Sequence, residues 1–254
     1  MKDGSVLMSQ IISVTSGKGG AGKSSVSVGL ATSFARAGNK VIVVEFDIGL
    51  RCVDIMLGVE NEVVYDLGDI IAGRCAVGDA IIQAEDRGQL DYIAAPNSID
   101  TEFDFDKVLH CIRVLRRMQY DYIIIDAPAG LGLSILSVKN LADLALIVTT
   151  PDPICMRDGA KVASLIEQAG FSNYRLIINR VSRASLKKSG VRDLDDVIDA
   201  VGAQLIGVIP ENTEYQWALA QGRRLSDKQI LPSIFDAIAR RIQGVYVPLI
   251  LETI

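Results

Sequence analysis

The sequence predicts a doubly wound α/β fold, in which helices cover both faces of a mostly parallel sheet. Short apolar runs alternate with segments of helical periodicity along the 254 residues. Most of these runs are apolar throughout, as in strands buried on both faces, and they do not alternate as half-exposed strands do. A glycine-rich stretch also follows the first run directly. Together these observations favour parallel strands joined by crossover helices.

The elements follow from these patterns in chain order. Apolar runs predict strands at 11–15, 41–45, 90–94, 122–126, 144–149, 175–178 and 205–209. Helical periodicity predicts helices near 25–37, 104–118, 155–169, 191–202, 213–221 and 231–243. Without an internal repeat, a low-complexity tract or a linker, we expect one domain over 10–254, preceded by an N-terminal extension over 1–9.

Composition narrows the class of protein. With 26 Lys and Arg against 31 Asp and Glu, the formal net charge is -5, which argues against non-specific nucleic-acid binding. No apolar run approaches the roughly 20 residues that span a bilayer, and the first residues have no secretory pattern. We therefore expect a cytoplasmic protein.

The glycine-rich stretch predicts a phosphate-binding loop between a strand and a helix. Gly17, Gly22, Lys23 and Ser24 fit the pattern GxxxxGK[ST], in which backbone N–H groups surround phosphate oxygens. The lysine supplies charge, and the serine hydroxyl reaches Mg²⁺. We predict nucleotide contacts along the whole loop, from Gly17, Lys18, Gly19, Gly20, Ala21, Gly22, Lys23, Ser24 and Ser25.

Lys18 is a second lysine inside this loop. It follows the first glycine, too early to wrap around the same phosphates as Lys23. One interpretation is that it projects across a symmetric interface towards the nucleotide of a second copy, which implies a dimer with ATP between the subunits. The alternative is a lysine that is simply solvated, as most are.

Two aspartates end predicted strands. Asp126 closes an apolar run, at the position where P-loop enzymes place an acid near Mg²⁺ and its waters. Asp47 is predicted to orient the water that attacks the γ-phosphate. With Ser24 they form the predicted metal site, although either could instead be a turn residue. Since ligands bind beyond the carboxyl ends of parallel strands, these residues should meet in one crevice. Gly130 and Gly132 suggest a mobile segment beside it.

The four cysteines, at 52, 75, 111 and 155, include no CxxC pair, which favours small buried hydrophobes over metal ligands or disulfides. The single histidine, His110, falls in a helical pattern and is expected to be structural. The predicted catalytic set is therefore Lys18, Lys23, Asp47 and Asp126.

With these residues placed, the chain resembles the MinD branch of the MinD/ParA deviant Walker A ATPases from about residue 10 to about 249. The stretches that carry this resemblance are GKGGAGKS at 17–24, DIGLRCVD at 47–54, LGVE and VVYD within 57–66, DAPAG at 126–130, TTPDP and MRDG within 149–159, INR at 178–180 and GVIPE at 207–211. It implies a P-loop NTPase fold of the SIMIBI type.

The resemblance implies an ATPase that binds ATP and Mg²⁺, forms an ATP-dependent homodimer and acts in septum placement. By position, Lys18 would reach the partner's nucleotide, while Asp47 and Asp126 would act on water and Mg²⁺. Asn179, its neighbour Arg180, and Pro210 are assigned to the nucleotide, with Asn179 and Pro210 as adenine contacts. A MinC-like inhibitor and a MinE-like or equivalent regulator are the implied partners, and Arg157 and Asp158 match the surface where partners dock.

The chain departs from the family pattern at several positions. Ser24 and Ser25 replace the usual threonines, Glu45 stands where an aspartate is common, and Cys52 replaces an asparagine. The last ten residues contain no lysine or arginine, so they do not match the basic amphipathic helix that the family carries at its C-terminus. We therefore do not expect this chain to reach a membrane alone, although the resemblance adds the inner face of the cell membrane as a location.

Three alternatives keep part of this interpretation. The same ATPase acting on another structure would serve in flagellar number control or in chromosome and plasmid segregation, because a fold does not specify what the protein positions. An iron–sulfur carrier of a related family would need a paired cysteine motif. A metabolic kinase or ligase would need a pocket for a small acceptor.

Overall fold

An eight-stranded sheet forms the centre of the computed structural model, which describes residues 9–97, 104–128 and 130–249. The strands are β1 (Gln10–Thr15), β2 (Val41–Glu45), β3 (Ile82–Gln83), β4 (Leu90–Ile93), β5 (Tyr122–Asp126), β6 (Leu144–Thr149), β7 (Tyr174–Val181) and β8 (Leu205–Pro210). Their order is β3-β4-β2-β5-β1-β6-β7-β8. Every pairing is parallel except that of β3 with β4.

Ten α-helices surround this sheet in the described part of the chain. They are α1 (Lys23–Arg36), α2 (Val53–Leu57), α3 (Leu67–Ala72), α4 (Phe105–Arg117), α5 (Gly132–Leu141), α6 (Pro153–Gln168), α7 (Arg183–Ser189), α8 (Leu194–Val201), α9 (Thr213–Ala220) and α10 (Ile230–Ile242). Short 3₁₀ helices at Val77–Ala80 and Glu85–Arg87 flank β3. No helix among these residues is long and apolar enough to span a bilayer.

The helices pack on both faces of the sheet, which confirms the predicted fold class. Residues 12 and 14 of β1 face a core formed with α1, α9 and α10, while residue 11 faces the opposite core with α3 and α4. A third cluster joins α6 and α8 to β6 and β7. Strands β2, β5 and β6 are buried along their whole length, which explains why their sequences are apolar up to the last residue, which is Glu45, Asp126 and Thr149 respectively.

All seven predicted strands and all six predicted helices are present, with small shifts at their ends. The sequence analysis missed β3, α2, α3, α5 and α7. Helix α5 begins at Gly132, so the segment predicted to be mobile after Asp126 becomes helical within a few residues. Helix α3 has a recognisable local signal, since Asp66 and Asp69 form a capping box and Gly73 ends it at φ 73°.

The strand order determines where the loops meet. Strand β1 lies between β5 and β6. From β1 the chain continues to β2, towards one edge of the sheet, whereas from β5 it continues to β6, towards the other edge. Such a reversal opens a crevice at the carboxyl ends of the strands. The segments that follow β1, β2 and β5 therefore lie together at the carboxyl end of the sheet.

Candidate functional site

The glycine-rich loop connects β1 to the first turn of α1. Gly20 and Gly22 have φ angles of 85° and 91°, in the left-handed region that glycine adopts without strain. A Cβ on Gly22 would lie 2.2 Å from Nδ2 of Asn179, and one on Gly17 would lie 2.4 Å from the carbonyl oxygen of Asp158. Glycine is thus required at these positions by backbone conformation and by close neighbours.

The N-terminus of α1 is suited to binding an anion. Among the described residues no side chain caps its first turn, which contains no acidic residue. The first N–H groups of a helix have no partners inside the helix and carry partial positive charge, so they suit phosphate oxygens. Here they directly follow the loop.

The two loop lysines differ in burial. Lys23 is only 7% exposed, and its charge offsets part of the rise in pKa that burial causes at Asp47 and Asp126. Lys18 is exposed, and in the described part of the chain its ammonium forms no ion pair, while its carbonyl accepts a hydrogen bond from the Ser16 hydroxyl at 2.8 Å. Lys23 therefore faces the crevice, whereas Lys18 faces outwards.

Asp126 is buried at the end of β5 and binds two hydroxyls of α1. Ser24 Oγ donates to Oδ2 at 2.6 Å, and Ser27 Oγ donates to Oδ1 at 2.7 Å. Burial raises the pKa of Asp126 to about 6, and the two serines partly oppose this rise. A hydroxyl and a carboxylate are hard oxygen ligands of the kind that Mg²⁺ prefers. Ser24 and Asp126 therefore fit a magnesium site beside a bound nucleotide.

Asp47 follows β2 at the same edge and is partly buried. Burial raises the pKa of its carboxyl, and the charge of Lys23 counteracts this. The backbone around it is held by two hydrogen bonds, from Gly49 N to the Pro96 carbonyl at 2.9 Å and from Leu50 N to the Asp47 carbonyl at 3.3 Å. The structure thus places Asp47 near Lys23, as the motif spacing predicted.

Glu45 is a buried carboxylate whose role sequence analysis did not predict. It lies opposite Asp126 in the strand register and is fully buried. Its Oε1 accepts from the backbone N–H groups of Cys52 (2.9 Å) and Val53 (3.2 Å), and its Oε2 accepts from the Tyr92 hydroxyl. Burial raises its pKa to about 7. The signal in the sequence for this role was a glutamate at the end of the apolar run of β2, which the sequence analysis noted only as a departure from the family pattern.

A second cavity adjoins the loop near the ends of β7 and β8. Its walls include Ser25, Val26, Asn179, Ile209, Pro210 and Tyr215. Asn179 donates from Nδ2 to the Ala21 carbonyl at 2.9 Å and accepts from Arg180 N at 2.9 Å. Its amide therefore holds the phosphate loop in place, a contact that sequence analysis did not foresee. The adenine contact stays a prediction for this residue and for Pro210.

The remaining singled-out residues lie elsewhere. Of the cysteines, only Cys111 is fully buried, while Cys52 lies partly buried beside Ser24 and Glu45, where burial raises the pKa of its thiol to about 12. His110 is on α4, as predicted, but its side chain is exposed and does not contribute to the core. Arg157 is exposed on α6 with Nη2 3.5 Å from Oδ1 of Asp158.

The structure thus brings the loop, Asp47 and Asp126 together in one crevice at the carboxyl ends of the strands, and Asn179 and Pro210 line the cavity beside the loop. The uncapped helix N-terminus and the buried Lys23 supply donors for phosphate oxygens, and the Ser24 hydroxyl with the Asp126 carboxylate suits Mg²⁺. Among the predicted site residues, only Lys18 and Arg180 are exposed, apart from the loop glycines Gly19 and Gly20.

Comparison with known proteins agrees with this geometry. Residues 12–225 match the family model described as the CobQ/CobB/MinD/ParA nucleotide binding domain. The septum site-determining protein MinD of Bacillus subtilis (strain 168) is 34% identical over 247 residues, which cover 95% of this chain and 92% of that protein. The corresponding protein of Synechocystis sp. is 32% identical over 245 residues, with 95% and 92% covered.

Solved structures are similar over the same range. The MinC:MinD cell division protein complex of Aquifex aeolicus superposes with a TM-score of 0.87 at 32% identity, covering 95% of this chain and 98% of that one. MinD of Pyrococcus horikoshii, complexed with Mg-ADP, has a TM-score of 0.78 at 27% identity, with 92% and 96% covered. A putative plasmid partition protein of Borrelia burgdorferi bound to AMPPNP, with a TM-score of 0.73 and 18% identity over 93% of this chain and 100% of that one, shares the fold.

The family model spans most of the chain, and relatives above 30% identity align over nearly its whole length. The phosphate loop and the two strand-end aspartates lie within the matched region. The chain therefore belongs to the MinD family of septum site-determining ATPases, within the CobQ/CobB/MinD/ParA nucleotide-binding domain family.

Proposed function

We propose that this protein binds ATP with Mg²⁺ in the crevice, dimerises with the nucleotides between two subunits, and hydrolyses ATP slowly under the control of partner proteins. This cycle would govern placement of the division septum. The observation that carries the proposal is the contrast between the two loop lysines: Lys23 is buried towards the crevice, and Lys18 is exposed beside it. A second copy facing this edge would receive Lys18.

The residues of the crevice have separable roles in this proposal. The loop N–H groups and Lys23 bind phosphates, and Ser24 with Asp126 would hold Mg²⁺, which supplies charge neutralisation at the phosphates when bound. Asp47 would orient the attacking water and contribute to the metal site. Phosphoryl transfer depends mainly on positioning and on charge stabilisation, so these groups together with a lysine from the partner suffice.

Partners and location follow from the relatives. One solved relative is a MinC:MinD complex, which supports a MinC-like partner here, and we infer a MinE-like or equivalent regulator from family membership. The surface near Arg157 and Asp158 is the proposed docking region. We place the protein in the cytoplasm and at the inner face of the cell membrane when a partner recruits it.

Replacing Lys18 with alanine tests the contribution of the second subunit. Lys18→Ala should still bind ATP, because Lys23 and the loop remain, but it should fail to dimerise and should lose about a hundredfold or more in turnover, as when a trans cation is removed from a phosphoryl-transfer site. Light scattering and phosphate release measure the two effects. The exposed Lys228→Ala is the matched control, and a fully active Lys18→Ala would remove the trans-lysine role.

Replacing Asp47 with alanine separates hydrolysis from dimerisation. Asp47→Ala should bind ATP and accumulate as the ATP-bound dimer, because water is no longer oriented while phosphate binding persists. Size-exclusion chromatography with light scattering in ATP and Mg²⁺ reports the dimer, and ADP should leave it monomeric. Finding only monomer in ATP, or turnover equal to the wild type, would contradict this role for Asp47.

A further inference from the structure

Arg87 is a buried arginine remote from the phosphate loop. It ends the 3₁₀ helix before β4 and is 5% exposed. Within the described residues, no carboxylate lies within ion-pair distance of its guanidinium. Burying a charge without a counter-charge is costly, so an arginine in this position is retained where its several donors hold neighbouring groups together.

The donors of Arg87 reach three different elements. Nη2 donates to the carbonyl of Met56 in the last turn of α2 at 2.7 Å, and it lies 3.5 Å from the carbonyl of Gly222, just after α9. Nη1 donates to Thr32 Oγ1 on α1 at 3.3 Å. A planar guanidinium can hold several acceptors at fixed angles, which a lysine ammonium does not reproduce.

The backbones of two of these elements touch at the same place. A Cβ on Gly222 would lie 2.6 Å from Cα of Gly58, and Gly58 itself has a φ of 76° at the end of α2. The ends of α2 and α9 are therefore in direct contact, and Arg87 binds a carbonyl from each. Besides the apolar residues of both helices, Arg87 and this glycine contact therefore contribute to their relative position.

Both elements lead to the nucleotide crevice. Helix α2 follows the segment that starts at Asp47, and Glu45 holds the N-terminus of α2 through the backbone of Cys52 and Val53. Helix α9 carries Tyr215, whose hydroxyl donates to the Ser25 carbonyl at 2.7 Å and whose ring lines the cavity beside the loop. The segment after Asp47 is thus held by Glu45 at one end and by Arg87 at the other.

We propose that Arg87 is a positioning residue that fixes the Asp47-to-Leu57 segment against α9, and thereby against the base side of the nucleotide crevice. It touches no reacting group, and it acts through the backbone carbonyls of Met56 and Gly222. The inference rests on the proposed function for its effect on turnover, but its structural part is independent of catalysis.

Hydrogen–deuterium exchange of the ADP-bound monomer tests the structural part. Arg87→Ala should speed exchange of the backbone amides at 52–58 by about tenfold or more, the effect of losing a hydrogen bond to a charged group. Arg36→Ala is the matched control, because Arg36 and Arg87 line one cavity between α1 and α10, and Arg36 pairs with Asp227 and Asp236 but binds neither α2 nor Gly222. Equal protection of 52–58 in wild type and Arg87→Ala would overturn the proposal.

Arg87→Lys keeps the buried charge and takes the place of Arg87→Ala in these measurements if the alanine variant does not fold. A single ammonium cannot hold all three acceptors, so we expect exchange at 52–58 between that of wild type and alanine, with kcat about tenfold lower and the Kd for ATP within about twofold of wild type. Millimolar methylguanidinium should restore part of the turnover of Arg87→Ala. Faster exchange with unchanged kcat would reduce Arg87 to a structural residue and also overturn the proposal.

Failure of the proposed function gives a different result. If Asp47→Ala hydrolyses ATP like the wild type, the catalytic role of the segment is wrong, whereas the exchange measurement still decides whether Arg87 holds it. If Asp47→Ala is inactive and the Arg87 variants are normal in both exchange and turnover, only the inference about Arg87 fails.

Discussion

Two carboxylates lie side by side under the phosphate loop. Glu45 and Asp126 occupy opposite positions in paired strands, and burial raises the pKa of each, to about 7 and about 6. Hydroxyl and backbone donors partly stabilise their charged forms, and Lys23 contributes further at Asp126. Burial therefore disfavours the charged forms of two neighbouring carboxyls, one of which, Asp126, is the candidate ligand of a divalent cation.

The raised pKa of Glu45 predicts a pH dependence of folding stability. Between the ordinary value of 4.5 and about 7, the folded protein binds more protons at this site than the unfolded chain does. Stability should therefore fall as pH rises through that window, by on the order of 3 kcal/mol, because each pKa unit corresponds to about 1.4 kcal/mol. Glu45→Gln, which can keep the contacts to Cys52, Val53 and Tyr92, should lose most of this fall.

Thermal unfolding from pH 4.5 to 7.5, without nucleotide or divalent cation, measures the effect. Asp126 adds a similar slope below about pH 6, so the variant should retain that part. Glu60→Gln, at an exposed glutamate, should behave like the wild type. An unchanged slope in Glu45→Gln would show that Glu45 does not titrate in this window.

At the scale of elements, α1 is positioned by how closely α10 approaches it. A Cβ on Gly29, in the middle of α1, would lie 2.3 Å from the ring of Phe235. Gly207 in β8 meets Ile238 in the same way, at 2.5 Å. Since α1 begins with Lys23 and Ser24, the contact of Gly29 with Phe235 contributes to the orientation of these two residues.

Gly29→Ala is predicted to destabilise the protein although alanine favours helices. The methyl group must displace Phe235 in a packed core, which costs about 1–3 kcal/mol, and this exceeds the gain of about 1 kcal/mol in helix propensity. Urea unfolding measures the change. Gly78→Ala is the control, since no atom lies within 4 Å of its added Cβ, and it should be neutral or slightly stabilising. A stabilised Gly29→Ala would show that α10 shifts freely.

Elements were predictable from the sequence in proportion to their length and regularity. The runs of β2, β5 and β6 were located correctly because both of their faces are buried. Helices α2, α3 and α7 have five to seven residues, too few for a helical period to emerge. Helix α5 begins at Gly132, two residues after Gly130, so these two glycines indicated a flexible segment where the fold forms a helix.

At the scale of the molecule, the order of strands converts separate motifs into one site. Residues 17–24, Asp47 and Asp126 are far apart in the chain, but β1, β2 and β5 are neighbours with the same direction. A ligand bound across these loops is linked to the whole folded state, because the unfolded chain has no such site.

Nucleotide should therefore stabilise the protein through this crevice. At an ADP·Mg²⁺ concentration of about 100 times Kd, the gain should be about 2.7 kcal/mol, which raises Tm by several degrees in a chain of this size. Lys23→Ala should lose most of that shift, because a buried phosphate partner is removed. Differential scanning fluorimetry compares the shifts, with the exposed Lys107→Ala as control. A normal ADP shift in Lys23→Ala would exclude Lys23 from phosphate binding.

By itself, the sequence determined the doubly wound fold and located the glycine-rich loop and the two aspartates at strand ends, because these depend on local spacing and on hydrophobic periodicity. Only the tertiary structure decided that Asn179 holds the loop through the Ala21 carbonyl, that Glu45 holds α2, and that Arg87 joins three elements. These contacts connect residues whose pairing depends on strand order and burial, and no local pattern encodes either.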